Sequence, residues 1–106
     1  MRQISPAELD TLLKSADDAP MLLDVREPHE FAHCRIDGSI NIPMNSVPSR
    51  LSELDAAAEI VTVCHHGMRS QAVAQFLESQ GYTRITNLQG GIDAWAQTID
   101  PAMPRY

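Results

Sequence analysis

Short runs rich in β-branched residues alternate along this chain with stretches of helical periodicity. That alternation is the strongest constraint on its fold. The run EIVTVC (59–64) is the clearest strand, because Ile60, Val61 and Val63 are β-branched and the run is short. MLLDV (21–25), the centre of GSINIP (38–43) and RITNL (84–88) read as further strands. Between them lie the helices. Ser5, Pro6 and Glu8 make a capping box, and Leu9, Leu12 and Leu13 share one face of a helix predicted to reach about Ser15. Residues 27–32 fit one or two turns with Phe31 as the inward anchor, and residues 45–54 fit a short helix whose first turn Pro48 weakens. Ala72, Val73, Phe76 and Leu77 lie at helical spacing within 70–80, closed by Gly81, and 90–99 forms a last helix with Trp95 inward. Strands that alternate with helices predict an α/β domain with a mostly parallel sheet and helices on both faces. Such sheets place ligands beyond the C-terminal ends of their strands. Cys64 stands at such an end.

The chain is long enough for one domain, residues 1–106, and too short for two. Hydrophobic residues are 43% and charged residues 21%, so the chain is neither disordered nor dependent on staples. A net charge of −6, with seven scattered arginines and only Lys14 beside them, excludes a basic stripe for nucleic acid and a membrane-surface patch. The opening MRQISPAELD lacks the apolar core of a signal peptide, and no apolar run approaches a membrane span. The cytoplasm is the expected compartment, where Cys34 and Cys64 are not expected to form a structural disulfide.

A cysteine that ends an apolar strand is often a plain core residue. Three local features point elsewhere for Cys64. It leaves a strand, the following segment can turn tightly at Gly67, and a helix is predicted to begin at about Ser70. The N-terminus of that helix offers unpaired N–H groups and a partial positive charge, and consecutive N–H groups in a curved loop form an anion-binding hollow. An anionic sulfur is favoured there.

The segment CHHGMRS (64–70) resembles the Cys-X-X-Gly-X-Arg-Ser/Thr loop of single-domain rhodaneses, which are sulfurtransferases. LLDVREPHEF (22–31), RIDGSINIP (35–43) and LQGGIDAW (88–95) resemble the other motifs of that family, in the same order, so the likeness covers nearly the whole chain. Arg35 stands where the family often has histidine. The resemblance implies a five-stranded, mostly parallel α/β domain in which Cys64 carries sulfur as a persulfide. The backbone N–H groups of His65, His66, Gly67, Met68, Arg69 and Ser70 would cradle the persulfide anion. A small-molecule donor such as thiosulfate, or a persulfide that a protein can also carry, would load Cys64. A thiol or cyanide would accept the sulfur, and no metal or organic cofactor is required. A monomer is expected.

Two roles are open to Arg69: contact with an anionic donor, or a fork onto a carboxylate that braces the loop. Bracing is favoured in so short a loop, with Asp24 or Glu27 as the partner. Asp24 and Arg26 themselves are expected to stabilise the fold. His65 and His66, adjacent in a tight loop, are expected to point apart and rim the pocket. A zinc site would need His33 and Cys34 as well, a poor fit to the usual ligand spacing. His29 reads as surface and Cys34 as a bystander. A tyrosine-phosphatase-like enzyme is the nearest rival, but four residues separate Cys64 from Arg69, one fewer than in the phosphatase loop, and residue 63 is valine where those enzymes usually have histidine. The rival from another class is a non-catalytic or sulfur-relay rhodanese module. Retention of Cys64 favours activity.

Overall fold

A computed structural model of the chain describes residues 1–15, 17 and 19–106. Strand β1 (Arg2–Ile4) leads into α1 (Pro6–Leu13), and β2 (Met21–Asp24) leads into α2 (Pro28–His33). Strand β3 (Ile40–Asn41) is followed by two 3-10 segments, Met44–Ser46 and Pro48–Glu53. Then come β4 (Ile60–Val63), α3 (Met68–Ser79), β5 (Ile85–Leu88) and α4 (Gly91–Thr98). The strands form one sheet in the order β1-β5-β4-β2-β3, and every pairing is parallel. Among the described residues, no helix is long and apolar enough to cross a membrane.

Two-residue alternation along the strands divides the core into two layers. Leu22, Val61, Val63 and Leu88 face α1 and α4, where Leu9, Ile92 and Trp95 pack on them. Leu23, Ile60 and Ile85 face the other way, onto Val73, Ala74 and Leu77 of α3 and onto Val47 and Leu54 of the 3-10 region. Cys64 continues the Ile60 side and is 1% exposed. Its side chain therefore lies under the start of α3 rather than out in solvent.

The structure departs from the sequence reading in several places. Strand β1 was not foreseen, because Arg2 and Gln3 are exposed and only Ile4 is buried, which leaves no apolar run to find. Helix α1 stops at Leu13, short of Ser15, and α3 starts at Met68, two residues before Ser70. The segment 45–54 is 3-10 rather than a single helix, interrupted at Arg50, where φ and ψ leave the helical region. Phe31 is half-buried beneath the Arg35 guanidinium, 4.9 Å from its ring centre, and the residue that turns inward from α2 is Glu30. Trp95 is buried and His29 exposed, as expected.

Arg26 is fully buried. Its guanidinium bonds Asp24 Oδ2 through Nη2 at 2.7 Å and Asp24 Oδ1 through Nε at 3.0 Å. Nη2 also donates to Cys34 O at 2.5 Å, and Nη1 donates to Glu30 O at 3.2 Å and to the Tyr106 hydroxyl at 2.9 Å. The two carbonyls belong to the end of α2, so Arg26 caps that helix with a buried positive charge. Burial opposes the charge, and the Asp24 and Tyr106 bonds more than offset it. Asp24→Ala should therefore strand a buried cation and lower stability by about 3–5 kcal/mol in urea denaturation. A loss of about 1 kcal/mol or less, the value of a surface pair, would show that water reaches Arg26 readily.

Candidate active site

Cys64 Sγ sits against Gly67 N at 3.0 Å and Ser70 Oγ at 3.2 Å, both within the turn that opens α3. Gly67 makes this turn with φ +101, a left-handed conformation, and its position is tight: a Cβ would lie 3.3 Å from Gly90 N and 3.4 Å from Leu88 O. The amides of Met68, Arg69 and Ser70 begin α3 and have no carbonyl within the helix to bond. A negative charge on the sulfur thus meets one amide directly, with the free first turn of α3 beside it.

The loop's carbonyls are drawn the other way. Cys64 O accepts Ile92 N at 2.8 Å, and His65 O accepts Asp93 N at 3.0 Å. The N-terminus of α4 therefore holds two of the loop's acceptors, while Gly67 N donates to the sulfur. Gly91 makes this approach possible, since a Cβ there would collide with the Cys64 and His65 carbonyl oxygens. Gly67 O, on the opposite side, accepts Asn87 Nδ2 at 3.1 Å.

Comparison with known proteins matches residues 5–98 to the model of the Rhodanese-like domain family. The chain belongs to that family. The rhodanese-like domain is 36% identical to a sulfurtransferase of Allochromatium vinosum, covering 92% of this chain and 90% of that protein. It is 35% identical to a putative sulfur carrier protein of Bacillus subtilis, covering 76% of this chain and 43% of that protein. Among solved structures, a rhodanese-related protein of Thermoplasma volcanium superposes with a TM-score of 0.82 at 35% identity, with 92% of each chain covered. Relatives named as sulfurtransferases at this identity support rhodanese-type sulfur transfer in general.

Arg69 in this rhodanese-like domain forks onto Glu30, Nη1 to Oε1 at 2.7 Å and Nη2 to Oε2 at 2.9 Å. The expected partners were Asp24 and Glu27. Asp24 is instead taken by Arg26, and Glu27 is exposed ahead of α2. Tyr106 joins the two ion pairs, because its hydroxyl accepts from Arg26 and donates to Glu30 Oε2 at 2.7 Å. Burial pushes the Tyr106 hydroxyl up to about 12, so it keeps its proton. The bonds from Arg69 hold Glu30 well below the usual carboxylate range against the pull of burial, with the Tyr106 hydroxyl adding to them. Neither Glu30 nor Tyr106 was singled out from sequence as a site residue. The only signal for Glu30 was an acidic residue within reach of β2, and for Tyr106 there was none.

His65 and His66 do not point apart. Their rings stack with centroids 4.0 Å apart, and Tyr106 covers the far side of His65 at 3.9 Å. His65 is half-buried, and its pKa is lowered first by burial and then by His66, which keeps it neutral at physiological pH. His66 is exposed, with Nε2 3.9 Å from Asp93 Oδ2. Ligand atoms of His65, His66 and Asp93 come within 4.8 Å of one another. The two imidazoles lie within 23° of parallel, so their in-plane lone pairs do not converge, and Asp93 Oδ1 already accepts two bonds from Arg105. His33 stands edge-on to Tyr106, and Cys34 Sγ lies 3.7 Å from Arg26 Nη1, so the other two candidate zinc ligands serve different neighbours. A concavity of about 350 Å³ opens beside the loop, lined by His66, Gly67, Met68 and Asn87. A larger one of about 720 Å³ lies around Pro20, Met21, Glu59 and Arg84, at the opposite end of the strands from Cys64.

Two outcomes follow from this geometry. Gly91→Ala should displace the 64–65 carbonyls, lowering stability by at least about 2 kcal/mol and slowing alkylation of Cys64 by iodoacetamide. Normal alkylation in that variant would mean that α4 does not shape the loop. Glu30 has a depressed folded pKa, so its contribution is complete above the ordinary value of 4.5 and is lost as pH falls through the lower one. The gap in Tm between the natural protein and Glu30→Gln should therefore be wide at neutral pH and close in acid. A gap constant with pH would show that the Arg69 fork adds nothing.

Proposed function

We propose that this domain is a sulfurtransferase that carries sulfane sulfur as a persulfide on Cys64. The Cys64 thiolate attacks the outer sulfur of a donor, the donor's S–S bond breaks, and its remaining part leaves with the electron pair as a thiolate or, from thiosulfate, as sulfite. The negative charge then rests on the outer sulfur of the persulfide. A thiolate acceptor attacks that sulfur, forms a new persulfide and returns Cys64 as the thiolate; cyanide would leave as thiocyanate. No external oxidant or reductant enters either step. The observation that carries this reading is the pairing of Cys64 Sγ with Gly67 N–H and the Ser70 hydroxyl while α4 holds the loop's carbonyls away.

A persulfide is the better donor on this reading, and thiosulfate the poorer one. Thiosulfate is a dianion, the loop positions beside the sulfur are a neutral His65 and an exposed His66, and Arg69 is engaged by Glu30. A protein acceptor or donor is the second form of the same reading. It is favoured by the exposed Met68 beside the loop and by the likeness to a sulfur carrier protein. The two unpaired cysteines suit a reducing compartment such as the cytoplasm.

Intact mass after incubation with glutathione persulfide, and separately with thiosulfate, tests the assignment. The natural protein and Cys34→Ser should each gain one sulfur atom and pass it to a thiol, faster from the persulfide, while Cys64→Ser should gain none. Sulfur mapped to Cys34 would overturn it.

A further inference from the structure

Ser70 Oγ stands 3.2 Å from Cys64 Sγ and 2.5 Å from Asn87 Oδ1. A hydroxyl has one hydrogen, so Ser70 can donate to one of these acceptors at a time. Asn87 is 1% exposed, and its other bonds fix which way its amide faces. Nδ2 donates to Gly67 O at 3.1 Å and to Gln3 Oε1 at 3.0 Å, which leaves Oδ1 toward Ser70 and toward Thr62 Oγ1 at 3.3 Å; the Thr62 hydroxyl also stands 3.3 Å from Thr86 O, so it too donates to one acceptor at a time. The sheet register enforces the arrangement, since Asn87 lies opposite Gln3 on one side and opposite Thr62 on the other. Thr62 and Ser70 are fully buried, so no bulk water replaces a missing donor.

We propose that Asn87 is a positioning residue that competes with the Cys64 sulfur for the single hydroxyl hydrogen of Ser70, with Thr62 setting the strength of that competition. The proposal rests on the reading of Cys64 as the reacting sulfur. When Cys64 is a thiol, S–H donates to Ser70 Oγ and Ser70 donates to Asn87. When Cys64 is a thiolate, Ser70 turns to the sulfur and the Thr62 hydroxyl, which can otherwise serve Thr86 O, serves Asn87 Oδ1 alone. When Cys64 carries a further sulfur, the charge moves to the outer atom and the Ser70 hydrogen returns to Asn87. Each turn of one hydroxyl thus follows the state of the carrier. A thiolate that receives less of Ser70 is more basic, a stronger nucleophile in loading and a poorer leaving group in unloading.

The charged and titratable groups around the loop are Arg69 on α3, His65 and His66 in the loop, Glu30 on α2, Asp93 on α4, and Tyr106. Among the described residues, no side-chain hydrogen bond joins any of them to Ser70 or Asn87. The relay therefore runs separately from the ion pairs that brace the loop.

The test is the pH profile of iodoacetamide alkylation at Cys64, measured with Cys34→Ser as the parent. Alkylation reads the thiolate whether or not the protein transfers sulfur, so this test and the persulfide mass test fail independently. Thr62→Val keeps the shape of the buried side chain and removes the second donor to Asn87 Oδ1. Turning Ser70 to the sulfur then leaves that oxygen unpaired. The profile should move to higher pH, with the rate on its acid limb falling about threefold. In a Ser70→Ala parent, Thr62→Val should leave the profile in place. Asn87→Leu should act in the opposite sense to Thr62→Val once its effect in the Ser70→Ala parent, which reads the lost tether to Gly67, is subtracted. A Thr62→Val profile identical to that of the parent would overturn the proposal. So would an equal shift with and without Ser70.

Discussion

The buried guanidinium of Arg26 is the interaction on which the rest of the structure depends. It lies where β2 ends, holds Asp24 of the same strand, and satisfies the last carbonyls of α2. Without it, Asp24 Oδ2 and Cys34 O would lose their buried side-chain donor, and Asp24 would keep only the Arg26 backbone N–H on Oδ1. Tyr106 extends its reach, because one hydroxyl proton passes the ordering of Arg26 on to Glu30 and so to Arg69 at the start of α3. Charge alternates along the line Asp24, Arg26, Glu30, Arg69, and each member is oriented by the one before. The loop of residues 64–70 is thus held at one end by a network whose anchor is nowhere near solvent.

At its other end the loop is held by backbone alone. Helix α4 presents its first N–H groups to the carbonyls of residues 64 and 65, and Asn87 ties down the carbonyl of Gly67. Fixing these carbonyls fixes the course of the loop, and within it Gly67 N–H meets the sulfur at 3.0 Å. The donors on the sulfur are the Gly67 peptide group and the Ser70 hydroxyl, and what the protein supplies is their aim. The arrangement also gives the Gly90-Gly91 pair a physical role, since any side chain at 91 would stand in the path of the two carbonyls.

Much of this was legible in the sequence, and the divide is informative. β2, β4 and β5 announce themselves because each is a short run with buried aliphatic residues, and the capping box of Ser5 and Glu8 appears at the distances its spacing implies. β1 was silent because an edge strand with two exposed polar residues has no such signature, and its pairing with β5 depends on the register of a segment more than 80 residues away. Cys64 could be placed because strand, glycine and helix start are local signals. Its supports could not. Glu30 outcompetes Glu27 for Arg69 because α2 turns it inward, a matter of helix phase over barely two turns. His65 and His66 stack because Tyr106 presses on one face of His65, a contact between residues 41 positions apart in sequence that no spacing rule anticipates.

The depth of Cys64 has a consequence for how a partner would read this protein. Cys64 is 1% exposed, closed over by its own turn. A second sulfur bonded to it would lie about 2 Å further along the side chain. A blunt partner that cannot reach the first atom can be built to reach the second. On the proposed persulfide cycle, burial would act as a gauge: an acceptor would find little to grip on the empty protein, and the loaded one would differ from it by the single atom to be handed on.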